Sequence, residues 1–226
     1  MSTGLAVAVG SGLNESGRGS MIHGYHVIFG TYGFWLPNDP RGSWSDFVAS
    51  WELAQFGKAT KSLERQDVDL SQWAEWRATA QKALKSPAVT LTGEQARAVG
   101  AGFAKGISKS RFTIWACSIL PEHVHLVIAR HTFQVEQIAN LLKGEATKRL
   151  KAESLHPQAR FVDAKGKLPS LWAERQWKVY LDTEEAIENA IQYVAENPIN
   201  EGKRPQKWSF VTPFAGLDQA GWITYH

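Results

Sequence analysis

The sequence has one cysteine, Cys117, which excludes a disulfide scaffold and any zinc site built on paired thiolates. No apolar run nears the roughly 20 residues that cross a bilayer. Residues 1–20 lack the charged-then-apolar order of a secretory signal. The expectation is therefore a soluble, cytoplasmic chain with no membrane partner. Charge of one sign is scarce as well: 25 Lys and Arg against 22 Asp and Glu leave +3, too little to keep a chain extended by self-repulsion. A Gly-rich phosphate loop of the Walker type is absent, so the sequence implies no ATP.

What is present is material for a core. The 226 residues are 43 % hydrophobic, enough for one fair-sized domain. A pI of 8.9 permits a nucleic-acid partner without establishing one.

Residues 1–20, rich in Gly and Ser, read as a flexible leader ahead of a start at Met21. Residues 21–226 then read as a single domain. Its first strand is predicted over 25–32, where aromatic and β-branched residues alternate. Residues 38–86 change texture, with seven basic and six acidic residues from 40 to 86 and tryptophan-bearing helical stretches. They read as a helical insertion with no assignable chemistry. Thr92 and Gln95 form a capping-box pair for a helix to about Ile107. RFTIWACSIL and HVHLVIAR read as two strands joined tightly at Pro121-Glu122, an antiparallel hairpin. Apolar residues at 135, 138, 141, 142 and 146 predict a helix. Residues 154–170 predict a loop with a short extended piece. WKVYL predicts a strand, and Asp182 or Thr183 caps a last helix that Pro198 should end. The predicted fold is α+β: a ferredoxin-like split βαβ sandwich with an antiparallel sheet, a helical insertion and an added C-terminal helix.

His123 and His125 are the sharpest chemical feature. Residues two apart on a strand face the same side, so both imidazoles project together while Val124, Leu126 and Ile128 face a core. Two neutral imidazoles on one strand make part of a divalent-metal site; the plainer alternative is one core histidine and one exposed. On the last helix, Ile187, Ala190, Ile191 and Val194 form the apolar stripe. Tyr193 falls on its shoulder, with Asn197 one turn on. There the plainer alternative is an amphipathic tyrosine and a helix-ending asparagine. Taken together, the two features suggest phosphoryl transfer. The tyrosine would be the nucleophile, and the imidazoles with the Asn197 amide oxygen would hold Mg²⁺ or, better matched to such donors, Mn²⁺.

PEHVHLVIA resembles the His-hydrophobic-His motif of HUH endonucleases. WKVYLDTEEAIENAIQYVAENPINEG is similar to the tyrosine helix of single-tyrosine transposases, the REP-associated kind above all. The resemblance covers about residues 111–203 and the first strand. It implies His123, His125 and Asn197 as metal ligands, with His123, His125 and Tyr193 catalytic. It also implies cleavage and rejoining of single-stranded or hairpin DNA through a 5′-phosphotyrosine. Two departures stand out: the long spacing from His125 to Tyr193, absorbed by the loop at 154–170, and the large insertion. Tyr180 is the rival nucleophile, but it falls in a predicted strand.

Basic residues Arg97, Lys105, Lys109, Arg111, Lys143, Lys148, Arg149, Lys203, Arg204 and Lys207 are candidates for phosphate contact. The ten tryptophans offer stacking platforms for unpaired bases. Use of the tyrosine helix in a partner's site, and hence a homodimer, stays open. Rival functions are a catalytically silent ferredoxin-like nucleic-acid-binding module and a replication-initiator or relaxase nickase.

Overall fold

The computed structural model describes residues 21–34, 70–174 and 176–217. The expected leader and residues 38–69 of the expected insertion lie outside the described residues. The elements run β1 (Gly24–Gly30), α1 (Leu70–Lys82), α2 (Gly93–Ser110), β2 (Ile114–Ile119), β3 (His123–Ala129), α3 (Val135–Ala152), β4 (Trp177–Leu181) and α4 (Glu184–Asn200). The strands form one sheet in the order β2-β3-β1-β4, every neighbouring pair antiparallel. This is the split βαβ arrangement read from the sequence, with α4 added.

Alternation along the strands divides the core in two. Val27, Phe29, Val124, Leu126 and Ile128 project to one face, where Val99, Phe103, Ile138 and Leu142 of α2 and α3 cover them. Full burial of side chains this size contributes roughly 1.5–3 kcal/mol each. The two helices come together at glycine: a Cβ on Gly102 would lie 2.6 Å from Ala146 Cα. Val127, Leu181, Trp115 and Ala116 project to the other face, beneath Ile187, Ala190 and Val194 of α4. Consecutive Trp115 and Ala116 share that face because a register shift interrupts β2 there.

The caps are as expected at α2, where the Thr92 hydroxyl accepts from Gln95 N at 3.2 Å and Gln95 Oε1 accepts from Thr92 N at 2.9 Å. Thr183 caps α4 by accepting from Ala186 N. The end of α4 differs from expectation: the helix passes through Pro198 to Asn200. A proline this near the terminus forfeits a single N–H, and the stop is supplied by Gly202 at φ +68°. Gly202 N donates to Ile199 O and Lys203 N to Pro198 O, a Schellman ending. The expected extended piece within 154–170 is instead one 3₁₀ turn, Ala159–Phe161.

The segment after α4 covers the open edge of β2. Gln206 pairs with both backbone groups of Ile119 through its side-chain amide, at 2.8 Å each way. Val211 bridges Ile114, so the edge strand is shielded from pairing with other chains. Among the described residues no helix is long and apolar enough to cross a membrane.

Candidate functional site

His123 and His125 lie on the face of β3 that α4 covers, and their rings stand 4.9 Å apart. α4 crosses this face because its stripe of Ile187, Ala190 and Val194 is buried against Val127 and Leu181. The helix therefore carries Tyr193 over the histidines. The Tyr193 ring meets His125 edge-on at 5.6 Å and is half-exposed, the shoulder position expected of it.

Asn197, one turn further, is buried, and its Nδ2 has no hydrogen-bond partner among the described residues. One more turn brings Glu201, whose Oε1 lies 3.6 Å from His123 Nε2. Tyr193, Asn197 and Glu201 thus run along one side of α4 toward the loop end of β3.

A third histidine completes the group. His26 on β1 is opposite Val127, which makes it a diagonal neighbour of His125. Its Nε2 lies 3.1 Å from His125 Nδ1, and its ring packs against Tyr193 and Trp177. On the other flank, Ser118 of β2 is directly opposite His125. Its buried hydroxyl has no partner among the described residues. Phe34 stacks on His123 at 4.9 Å.

Burial dominates the electrostatics. It lowers the His26 pKa to about 4. His125 is held well below the usual imidazole range, by burial first and then by its neighbours His123 and His26. Both are therefore neutral at pH 7, the form in which imidazole ligates metals. Burial, and then the Glu201 carboxylate, raise the Tyr193 hydroxyl, so it carries its proton at neutral pH.

Two imidazoles, the Asn197 amide and the Glu201 carboxylate are the side chains that could hold a divalent ion here, a nitrogen and oxygen set compatible with Mg²⁺ or Mn²⁺. Among the described residues no three His, Cys, Asp or Glu side chains converge on one point. An ion here would thus draw on the amide or on water as well.

Tyr180, the rival tyrosine, is opposite Tyr25 in the β1–β4 register. Tyr25 packs against the core under α2 and α3, which puts Tyr180 on the sheet face away from the histidines.

The basic residues divide by face. Arg97, Lys105, Lys109, Lys148 and Arg149 are exposed on α2 and α3, behind the sheet, and Arg111 is exposed where α2 ends. Lys148 is paired with Glu145, and Arg149 with Glu153. Lys143 is buried: its amine donates to Ala173 O at 3.0 Å and lies over the Phe29 ring. It points into the core rather than toward a ligand. Lys203, Arg204 and Lys207 are exposed just beyond α4.

His26 and Glu201 escaped the sequence reading. Alternation in GYHVIFG sets His26 apart from Tyr25, Val27 and Phe29, but only the register of β1 on β3 brings it to His125. Glu201 was hidden by the expectation that Pro198 ends the helix.

The model of the family "Transposase IS200 like" matches residues 84–197. Among solved structures, a REP-associated tyrosine transposase bound to a REP hairpin is similar at 13 % identity. That likeness covers 85 % of this chain and 78 % of that one, with a TM-score of 0.42. A putative transposase from Deinococcus radiodurans R1 is similar at 16 % identity, covering 80 % and 95 %, with a TM-score of 0.36. Both likenesses are distant. No curated protein matches. The matched span takes in half of the chain, from before α2 through the histidine strand to Asn197 of the tyrosine helix, and the chain belongs to the IS200-like transposase family.

Proposed function

We propose that this transposase cuts and rejoins single-stranded or hairpin DNA through Tyr193, in a metal-dependent reaction at the face formed by His123, His125 and α4. The observation that carries the reading is the edge-on contact of the Tyr193 ring with His125, between elements far apart in sequence. A half-exposed phenol beside the buried, neutral imidazole of His125 suits a nucleophile next to a metal-binding surface. The plainer roles of a core histidine and an edge tyrosine do not require these side chains to meet.

In the reaction, Tyr193 Oη bonds to the phosphorus of a phosphodiester and the bond from phosphorus to the 3′ oxygen breaks. The proton leaving the phenol balances the one gained by the released 3′-OH. The 5′ phosphate stays on the enzyme as a tyrosine ester, whose bond energy serves the later rejoining. His123, His125 and Asn197 would hold the divalent ion, Mg²⁺ or Mn²⁺, which when bound neutralises charge on the phosphate oxygens. Tyr193 and the histidines belong to one copy of the chain, so the reading needs no second copy to complete the site.

The test mixes the protein with labelled hairpin or single-stranded DNA and Mn²⁺ and resolves the products on a denaturing gel. A covalent protein–DNA band is expected, and replacing both His123 and His125 with alanine should reduce it by at least about 10²-fold. Reversible gel shifts with no covalent band would instead favour a catalytically silent DNA-binding module.

A further inference from the structure

We propose that His26 is a positioning residue for His125, accepting a hydrogen bond from His125 Nδ1–H and thereby fixing the tautomer whose Nε2 is free to bind metal. The inference rests on the reading of His125 as a metal ligand. His26 comes from β1, ahead of the span that matches the family model.

The geometry is that of a hydrogen bond rather than of ring stacking. Nε2 of His26 lies 3.1 Å from Nδ1 of His125, with the rings tilted 30° and centroids 5.3 Å apart. Two neutral imidazoles in this contact share one proton, which admits two arrangements. If His26 donates, His125 accepts at Nδ1, keeps its own proton on Nε2 and has no lone pair left for a metal. If His125 donates, His26 carries its proton on Nδ1, and His125 Nε2 is an unprotonated donor atom. Only the second arrangement serves a metal ligand. Histidine ligands generally have their second nitrogen held in this way, and loss of the partner commonly weakens metal affinity by about 10–100-fold. Burial of both rings keeps water from substituting for the partner. Trp177 and Tyr193, each edge-on to His26, restrict its rotation.

The experiment measures Mn²⁺ affinity of the full chain without DNA, by electron paramagnetic resonance of the free ion, for His26→Leu, His26→Asn, His26→Gln and His125→Ala. Glutamine reaches the Nε2 position with an acceptor oxygen; asparagine is too short and leucine has no acceptor. His26→Gln should stay within about threefold of the parent, whereas His26→Leu and His26→Asn should bind at least about tenfold more weakly. Parent-like affinity in His26→Asn or His26→Leu, with affinity lost in His125→Ala, overturns the positioning role and leaves the metal reading standing. Parent-like affinity in His125→Ala overturns both. Nitrogen-15 NMR of the metal-free protein gives an independent check. His125 should carry its proton on Nδ1, and a proton found on Nε2 contradicts the proposal whatever the metal does.

Discussion

The Tyr193 ring stands 5.6 Å from the His125 ring and 5.7 Å from the His26 ring, edge-on to both. Three side chains from β1, β3 and α4 thus meet on the sheet face opposite the α2–α3 layer. The proposed cleavage of DNA belongs to that side of the sheet.

The buried imidazoles make stability depend on pH. The His26 pKa falls from 6.5 to about 4 on burial, so the unfolded chain binds a proton between these values that the native state refuses. The contribution is complete above pH 6.5 and is lost as the pH falls toward 4. Chemical denaturation should show the protein losing about 2 kcal/mol from this group between pH 8 and pH 5, and His125, shifted the same way, adds to the loss. His26→Gln should flatten the slope over that window; an unchanged slope would mean that His26 titrates normally in the folded protein.

The division of basic residues by face predicts which of them meet DNA. Lys203→Gln with Arg204→Gln should weaken binding to a single-stranded oligonucleotide. If each contacts one phosphate, the log–log salt slope should fall by about 0.7 per residue. Lys143→Met should leave affinity unchanged, because its amine is spent on Ala173 O inside the core. Salt titrations by fluorescence anisotropy decide the matter. Loss of affinity in Lys143→Met without loss of stability, or a salt-independent affinity, would contradict the assignment.

The close approach of α2 and α3 predicts a stability effect remote from the site. Gly102→Leu would drive its Cβ to 2.6 Å from Ala146 Cα, a backbone atom that cannot step aside. Overpacking of this kind costs roughly 1–3 kcal/mol. Thermal melting should register the loss, and a parent-like midpoint would mean that the helices are not in contact there.

Much of this was legible in the sequence. Alternation in HVHLVIA puts His123 and His125 opposite Val124, Leu126 and Ile128, and the stripe of α4 puts Tyr193 on its shoulder; both hold in the fold. Those patterns are local, with periods of 2 and 3.6 residues. What could not be read depends on how distant segments pair. His26 reaches His125 only through the register of β1 on β3. The basic residues of α2 and α3 look like any cationic helix face until the sheet separates them from the histidines. Lys143 sits on an amphipathic helix as a surface lysine would, and its burial follows from Trp172, whose Nε1 donates to Lys143 O, and from Ala173 closing over it. Pro198 misled because the helix stop lies four residues on, in the left-handed backbone of Gly202.

The most direct test of the proposed phosphotyrosine is to map the residue on which a covalent DNA adduct forms. Tyr193→Phe removes one oxygen and keeps the ring contacts, so folding and DNA binding should survive while the covalent adduct vanishes; Tyr180→Phe, altered on the far face of the sheet, should retain it. Mass spectrometry of the proteolysed adduct formed with Mn²⁺ should find the nucleotide on the peptide containing Tyr193. A nucleotide mapped to Tyr180 or to any other side chain would contradict the assignment.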